Sequence, residues 1–225
     1  MTFDLSIDNL ITLANEVREA SYADTKTPLQ NSLSLEKHGK RLGQGKSPYS
    51  IVVFGDLNGF KQINDENSHA AGDDALNKVG ETMIERIVNP LDALAFRPSG
   101  DEFVVLLKGD SINEFLNLAK SFGRVTFSHQ GRELAVGMSF GYAFSDPLAT
   151  FDDLLSRAEF ACQNAKLKGN GFCVLWSKEM EDNPVSRING TCKSCEAKVI
   201  CSMPRRNAPS HLKYCPNCGG ELSST

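Results

Sequence analysis

The chain has 225 residues, of which 40% are hydrophobic and 23% charged, with a formal net charge of −4. That length suits one sizeable domain plus a small appendage, and the composition excludes a disordered chain, a collagen-like repeat and a disulfide-dense miniprotein. No stretch approaches the ~18 uncharged apolar residues of a membrane-spanning helix, and MTFDLSIDNL places acids where a secretion signal wants bases, so a cytoplasmic protein without membrane contact is expected.

Ile7, Leu10, Ile11, Ala14 and Val17 share one stripe of a helix over residues 6–20, which Ser6 or Asp8 can cap. The stripe suits pairing with a second copy or packing onto its own domain. Polar residues 21–35, with Pro28, read as a connector, and Leu33 to Leu42 as a second short helix. The nearly continuous apolar run 50–56 is the pattern of a buried strand; Gly59 then loosens the chain before a helix near Phe60. Leu76, Val79, Met83, Ile84 and Ile87 predict a helix over 73–88. Residues 91–96 and 103–107 are strand-like and joined by a tight hairpin, Arg97-Pro98-Ser99-Gly100-Asp101-Glu102. A helix follows over 112–122, a strand over 134–144, a helix over 151–168 ended by Lys168-Gly169-Asn170-Gly171, and a last strand over 172–176. This order predicts an α/β sandwich, with helices covering a mostly antiparallel sheet, and a polar linker over 181–190.

Charge and cysteine are unevenly placed. Residues 187–225 carry six bases and two acids, whereas residues 1–186 carry 18 bases and 26 acids. An acidic body argues against broad nucleic-acid binding by the main domain and leaves that option to the tail. Cys162 and Cys173, isolated in apolar surroundings, read as packing residues. Cys192-x₂-Cys195 and Cys215-x₂-Cys218 enclose nineteen residues, the spacing of a closed tetrahedral zinc ribbon over 191–225. So small a module needs the metal to fold, and two complete pairs leave no open position, so the zinc is structural. Cys201 and His211, inside the loop, are alternative ligands read as bystanders. The ribbon's partner is left open between a protein, a nucleic acid and the other subunit.

Asp56 ends the buried strand, and Asp101 and Glu102 sit on the hairpin, so the three carboxylates can converge on a hard divalent ion such as Mg²⁺ or Mn²⁺. Ser99 and Gly100 are small enough for a polyanion to approach the hairpin backbone. The helix start near Phe60 offers free N–H groups to phosphate, with Lys61 adding a cation. A solvated polar turn accounts for the same spacing.

The stretch D-L-N-G-F-K-Q-I-N-D-E-N-S-H-A-A-G-D over 56–73, followed by R-P-S-G-D-E-F over 97–103, resembles the GGDEF family of bacterial diguanylate cyclases. Asp24, Thr27, Leu29 and Asn31 match that family's opening D-x-L-T-G-L-x-N segment. Residues 136–143 resemble its late strand, and 154–159 with Ala165-Lys166 its last helix. The resemblance covers about residues 24–176 and implies a palm-like βαββαβ sandwich of the nucleotide-cyclase type within residues 24–180, after an N-terminal helix and connector over 1–23. It implies one GTP per subunit and a second copy of the chain, joining two GTP into cyclic di-GMP. By position it makes Asp56, the Leu57 carbonyl and Asp101 ligands of Mg²⁺ or Mn²⁺, and Glu102 the acceptor of the attacking hydroxyl's proton. Asn64 and Asp73 fall at the guanine edge, His69 near the nucleotide, and Phe60, Lys61 and Lys166 among the substrate-binding positions, the lysines at phosphate. A carboxylate accepts from guanine N1–H and N2–H₂, a donor pair that adenine lacks.

The chain departs from the family pattern at four places. Ser99 replaces the first glycine of the G-G-D-E-F motif; at a position needing positive φ this would cost on the order of 1 kcal/mol. Asn170 stands where an arginine is usual, weakening one phosphate contact, and Ser68 replaces the usual glycine before His69. The feedback motif R-x-x-D falls on Pro90-Leu91-Asp92-Ala93, so product inhibition there is not expected. The rival to an active cyclase is a catalytically silent GTP-binding module in which the ribbon carries the function.

Overall fold

The computed structural model describes residues 7–178, 180, 185–192, 198–204 and 222–224. Among the described residues, helix α1 (Ile7–Ala20) leaves Ile7, Leu10, Ile11 and Val17 exposed. Asn31 caps α2 (Ser32–Gly43), its side chain accepting from the Leu33 and Ser34 N–H groups.

Strand β1 (Ile51–Asn58) is central, and its continuous apolar run is explained by burial on both faces. Ile51, Val53 and Leu57 join one core layer with α4 (His69–Met83) and α6 (Ile112–Ala119). Val52 and Phe54 join the opposite layer with α2 and α7 (Phe151–Lys166). Short α3 (Phe60–Glu66) follows β1, and α4 continues as a π turn over Ile84–Val88 into the one-turn α5 (Asn89–Leu91).

The sheet order is β2-β3-β1-β5-β4, from β2 (Leu94–Phe96), β3 (Glu102–Leu107), β4 (Val125–His129) and β5 (Arg132–Phe144). These pairings are antiparallel, and β6 (Cys173–Leu175) adds to β5 in parallel. The mostly antiparallel, helix-covered sheet expected from the element order is thus present. Strand β4 was not anticipated. Its signal is strict alternation, Val125, Phe127 and His129 inward, leading into a two-residue turn at Gln130 (φ 49°) and Gly131 (φ 76°). His129 fixes this hairpin to α4: its Nδ1 lies 2.7 Å from Asp74 Oδ2 and its Nε2 3.4 Å from Ser68 Oγ.

A separate antiparallel sheet, ordered β8-β7-β9, comprises β7 (Val185–Cys192), β8 (Lys198–Pro204) and β9 (Leu222–Ser224). Residues 185–190, read as linker, are therefore strand: β-branched Val185 and Ile188 are interspersed with the polar residues that suggested a linker. Cys192 ends β7 opposite Leu222, and Cys201 lies in β8 opposite Ile188. Cys195, His211, Cys215 and Cys218 lie outside the described residues, and so does the four-cysteine site as a whole. Among the described residues no helix is long and apolar enough to cross a membrane.

Candidate functional site

Asp56 lies two residues before the end of β1, in the last pair of the β1–β3 ladder, opposite Glu102 on β3 and Ser139 on β5. Its carboxylate is about a quarter exposed and forms an ion pair with Lys166 Nζ from the last turn of α7. Burial pushes the Asp56 carboxyl above its ordinary range; the Lys166 ammonium opposes the rise, and the negative charges of Asp101 and Glu102 reinforce it. Lys166 reaches β1 because α7 lies almost on the backbone of β5. A Cβ at Gly141 would sit 2.0 Å from Cys162 N and 2.2 Å from Ala158 O, so glycine alone allows that approach. Cys162 is buried between these elements, its thiol pushed up to about 12, as expected of a packing residue.

The hairpin bearing Asp101 and Glu102 is held from below by Arg97, a buried guanidinium. Its Nε and Nη2 donate to Gly100 O at 3.0 and 2.7 Å, and its Nη1 donates to both Asp24 oxygens at 3.1 and 3.0 Å. Asp24 also accepts from Thr27 N (2.9 Å), Thr27 Oγ1 (2.8 Å) and Lys26 N (3.1 Å). Burial alone would raise the Asp24 carboxyl; the bonds from Thr27, Lys26 and Arg97 together hold it below the usual carboxylate value.

Positive φ falls on Gly100 (52°), and among the described residues the non-glycine positions with positive φ are Asp92 and Gln130. The conformational cost foreseen at Ser99 therefore does not arise. Its hydroxyl instead donates to Glu102 Oε2 at 3.1 Å. The Leu57 N–H donates to Asp101 O at 3.2 Å, which puts the Leu57 carbonyl on the same edge of β1, facing the hairpin.

Gly59 (φ 73°) turns the chain into α3. Phe60 and Asn64 then pack over Gly72: a Cβ there would lie 2.0 Å from Asn64 Oδ1 and 3.2 Å from Phe60 Cζ. The next residue, Asp73, pairs with Lys26 Nζ at 2.6 Å. Ser68 caps α4 by accepting from Ala71 N–H at 3.1 Å, which gives that departure a local role. His69 and Lys61 are exposed in the first turns of α4 and α3. The structure thus gathers Asp56, Glu102 and Lys166 at the end of the β1–β3 ladder, with Asp101 on the adjoining turn. Phe60 and Asn64 form a second group beside Asp73, and Lys61 and His69 stay at the surface.

Asn170 is occupied structurally. Its Oδ1 accepts from Asn58 Nδ2 at 2.8 Å, and its amide fills the space above Gly137. Asn58 also donates to Ser139 Oγ at 2.8 Å. The sequence reading missed this network, the Arg97 anchor and Lys26. An arginine flanking an acidic turn, with an isolated aspartate in the preceding connector, is the signal that points to the anchor.

Among the described residues no three of His, Cys, Asp or Glu form a ready-made metal cage. The donor set nevertheless suits Mg²⁺, which takes hard oxygens, few protein carboxylates and otherwise phosphate and water. The raised Asp56 carboxyl beside two further acids marks a place where negative charge is crowded.

A family model described as diguanylate cyclase, GGDEF domain, matches residues 21–171. Diguanylate cyclase DosC of Escherichia coli is 28% identical over 192 residues, 78% of this chain and 40% of its own length. The chain thus spans well under half of that relative. The GGDEF domain of PA1120 (TpbB or YfiN) from Pseudomonas aeruginosa aligns with a TM-score of 0.61 at 27% identity, covering 71% of this chain and 97% of that one. The coiled coil and GGDEF domain of DgcB from Caulobacter crescentus, in complex with c-di-GMP, shares the fold with a TM-score of 0.65 at 18% identity, over 75% and 93% of the two chains.

Proposed function

This chain belongs to the GGDEF-domain family, and on that premise we propose that it is a diguanylate cyclase, joining two GTP into cyclic di-GMP with release of two pyrophosphates. The observation that carries the reading is the placement of Asp56, Asp101 and Glu102 at the end of the β1–β3 ladder beside Lys166. Asp56, Asp101 and the Leu57 carbonyl would hold Mg²⁺ or Mn²⁺, which when bound polarises phosphoryl oxygens and makes a hydroxyl more acidic. Glu102 accepts the proton of the attacking 3′-hydroxyl. Lys166 lies where it can exchange its Asp56 partner for a phosphate oxygen, and Lys61 adds positive charge at the start of α3. Asn64 and Asp73 read the guanine edge, Phe60 packs beside them, and exposed His69 flanks the nucleotide. Each chain holds one GTP, so two copies must meet for each turnover, and the exposed stripe of α1 is a surface on which they can pair.

The silent GTP-binding alternative draws support from Lys166 being engaged with Asp56 and from Asn170 being committed to Asn58. Incubation of purified protein with GTP and Mg²⁺ separates the two readings. Cyclic di-GMP, identified by mass, is expected. Bound GTP without product in either Mg²⁺ or Mn²⁺ establishes the silent module.

We assign a structural zinc to Cys192, Cys195, Cys215 and Cys218, supported by their paired spacing. One zinc per chain is expected by elemental analysis, unchanged by Cys201→Ser and lost on Cys195→Ser. Zinc retained in the Cys195 variant but lost in the Cys201 variant would show a different ligand set. A chain cut near residue 182 keeps its cyclase activity if the ribbon only anchors a protein or nucleic acid.

A further inference from the structure

Lys26 stands at the third position of the D-x-L-T-like segment, where the pattern quoted above has leucine, and it is the one residue of that segment whose side chain reaches Asp73. Its backbone is fixed. Thr27 beside it is buried, and Asn77 Nδ2 lies 3.4 Å from the Lys26 carbonyl. Gly80 of α4 leaves room for the same turn, since a Cβ there would be 2.8 Å from Pro28 Cδ and 2.9 Å from Thr27 Cβ. The ammonium is thus delivered to Asp73 by a seated turn and not by a wandering loop.

Resting on the proposed reading of Asp73, we infer that Lys26 is a specificity-determining residue that reads guanine O6. An ammonium has three donors and a carboxylate about four acceptor sites, so the pair can bind a ligand without separating. Among the described residues Lys26 Nζ spends one donor on Asp73 Oδ1, and Asp73 Oδ2 has no hydrogen-bond partner. The pair therefore presents a donor beside an acceptor. The guanine edge presents the complement, O6 accepting beside N1–H and N2–H₂ donating. Adenine offers an N6–H₂ donor where guanine has O6, which would face the ammonium with no acceptor.

The test is calorimetric binding of GTP and of 6-thioguanosine triphosphate, which keeps N1–H and the 2-amino group and replaces O6 by a weaker sulfur acceptor, to wild type, Lys26→Met and Lys26→Arg. Lys26 is half exposed, so neither substitution threatens the fold. Losing a bond from a charged donor weakens binding by about tenfold or more. Lys26→Met is expected to weaken GTP by that factor and the thio analogue markedly less, with Lys26→Arg restoring part of the loss. If cyclic product forms, the same change is expected in KM with kcat preserved. Equal weakening of both nucleotides would mean attraction of the triphosphate and would overturn the inference. Tighter GTP binding would overturn it too, by showing that Lys26 masks Asp73. Wild type that binds GTP without turning it over removes the cyclase reading alone, because the O6 comparison is made by binding. Wild type that binds neither nucleotide removes both.

Discussion

Replacing Glu102 by Gln is expected to lower turnover of GTP by about 10²–10⁴-fold, the usual contribution of a positioned proton acceptor. Gln keeps an acceptor oxygen for Ser99 Oγ and does not disturb the backbone pairing of residue 102 with Asp56. The substitution therefore removes charge and basicity and little else. Binding of GTP is expected to stay close to wild type, because the residues proposed to hold the base lie on α3, on α4 and in the turn at Lys26, and not on the hairpin. Single-turnover product formation alongside equilibrium binding separates these effects. A variant that cyclises GTP at the wild-type rate would remove Glu102 from the reaction.

Asp24→Asn is expected to destabilise the domain by on the order of 3 kcal/mol, the effect of leaving a buried charge without its partner. Arg97 and Asp24 are 9% and 11% exposed, so solvent screens the pair little. The Asn retains the Oδ1 acceptor for Thr27 and loses the charge together with the Oδ2 acceptor for Arg97. The effect depends on pH with a definite sign. Asp24 is held below its ordinary value in the folded chain, so its contribution is fully present above about pH 4, the unfolded carboxylate range, and is lost as pH falls through the lower folded value. Urea unfolding of both proteins at pH 7 and at progressively lower pH should show the gap between them closing on acidification. A constant gap would mean that Asp24 acts through its hydrogen bonds and not its charge.

Much of the fold was legible because burial writes a pattern. The run Ile51–Phe54 is apolar on both faces because two core layers sandwich β1, and that is how the sequence presents it. The α4 stripe was equally clear from residue 73 onward. Its true start at His69 was hidden, because the cap is a single serine ahead of two alanines and a glycine whose small side chains carry little periodicity. Strand β4 alternates correctly but is five residues long. Residues 91–93 were read as strand because they are partly apolar; Asp92 turns through positive φ there, and β2 begins only at Leu94.

At the site, the acids were found by type and order. Their partners were not, because the Lys166–Asp56, Arg97–Asp24 and Lys26–Asp73 pairs join residues far apart in sequence, and no local pattern records such a meeting. The strain anticipated at Ser99 followed from residue identity; the backbone places the left-handed conformation one residue later, on Gly100.

The two halves of the carboxylate site rest on different supports, and this sets different clocks for them. Asp56 belongs to a strand paired on both sides, whose amides should exchange with solvent only on global unfolding. Residues 97–101 are a turn held by the Arg97 guanidinium on Gly100 and Asp24 and by a few backbone bonds, among them Glu102 N–H to Ser99 O and Leu57 N–H to Asp101 O, so local opening there needs far less of the molecule to come apart. The amides of residues 99–101 are therefore expected to exchange with solvent sooner than those of β1, as hydrogen exchange would measure.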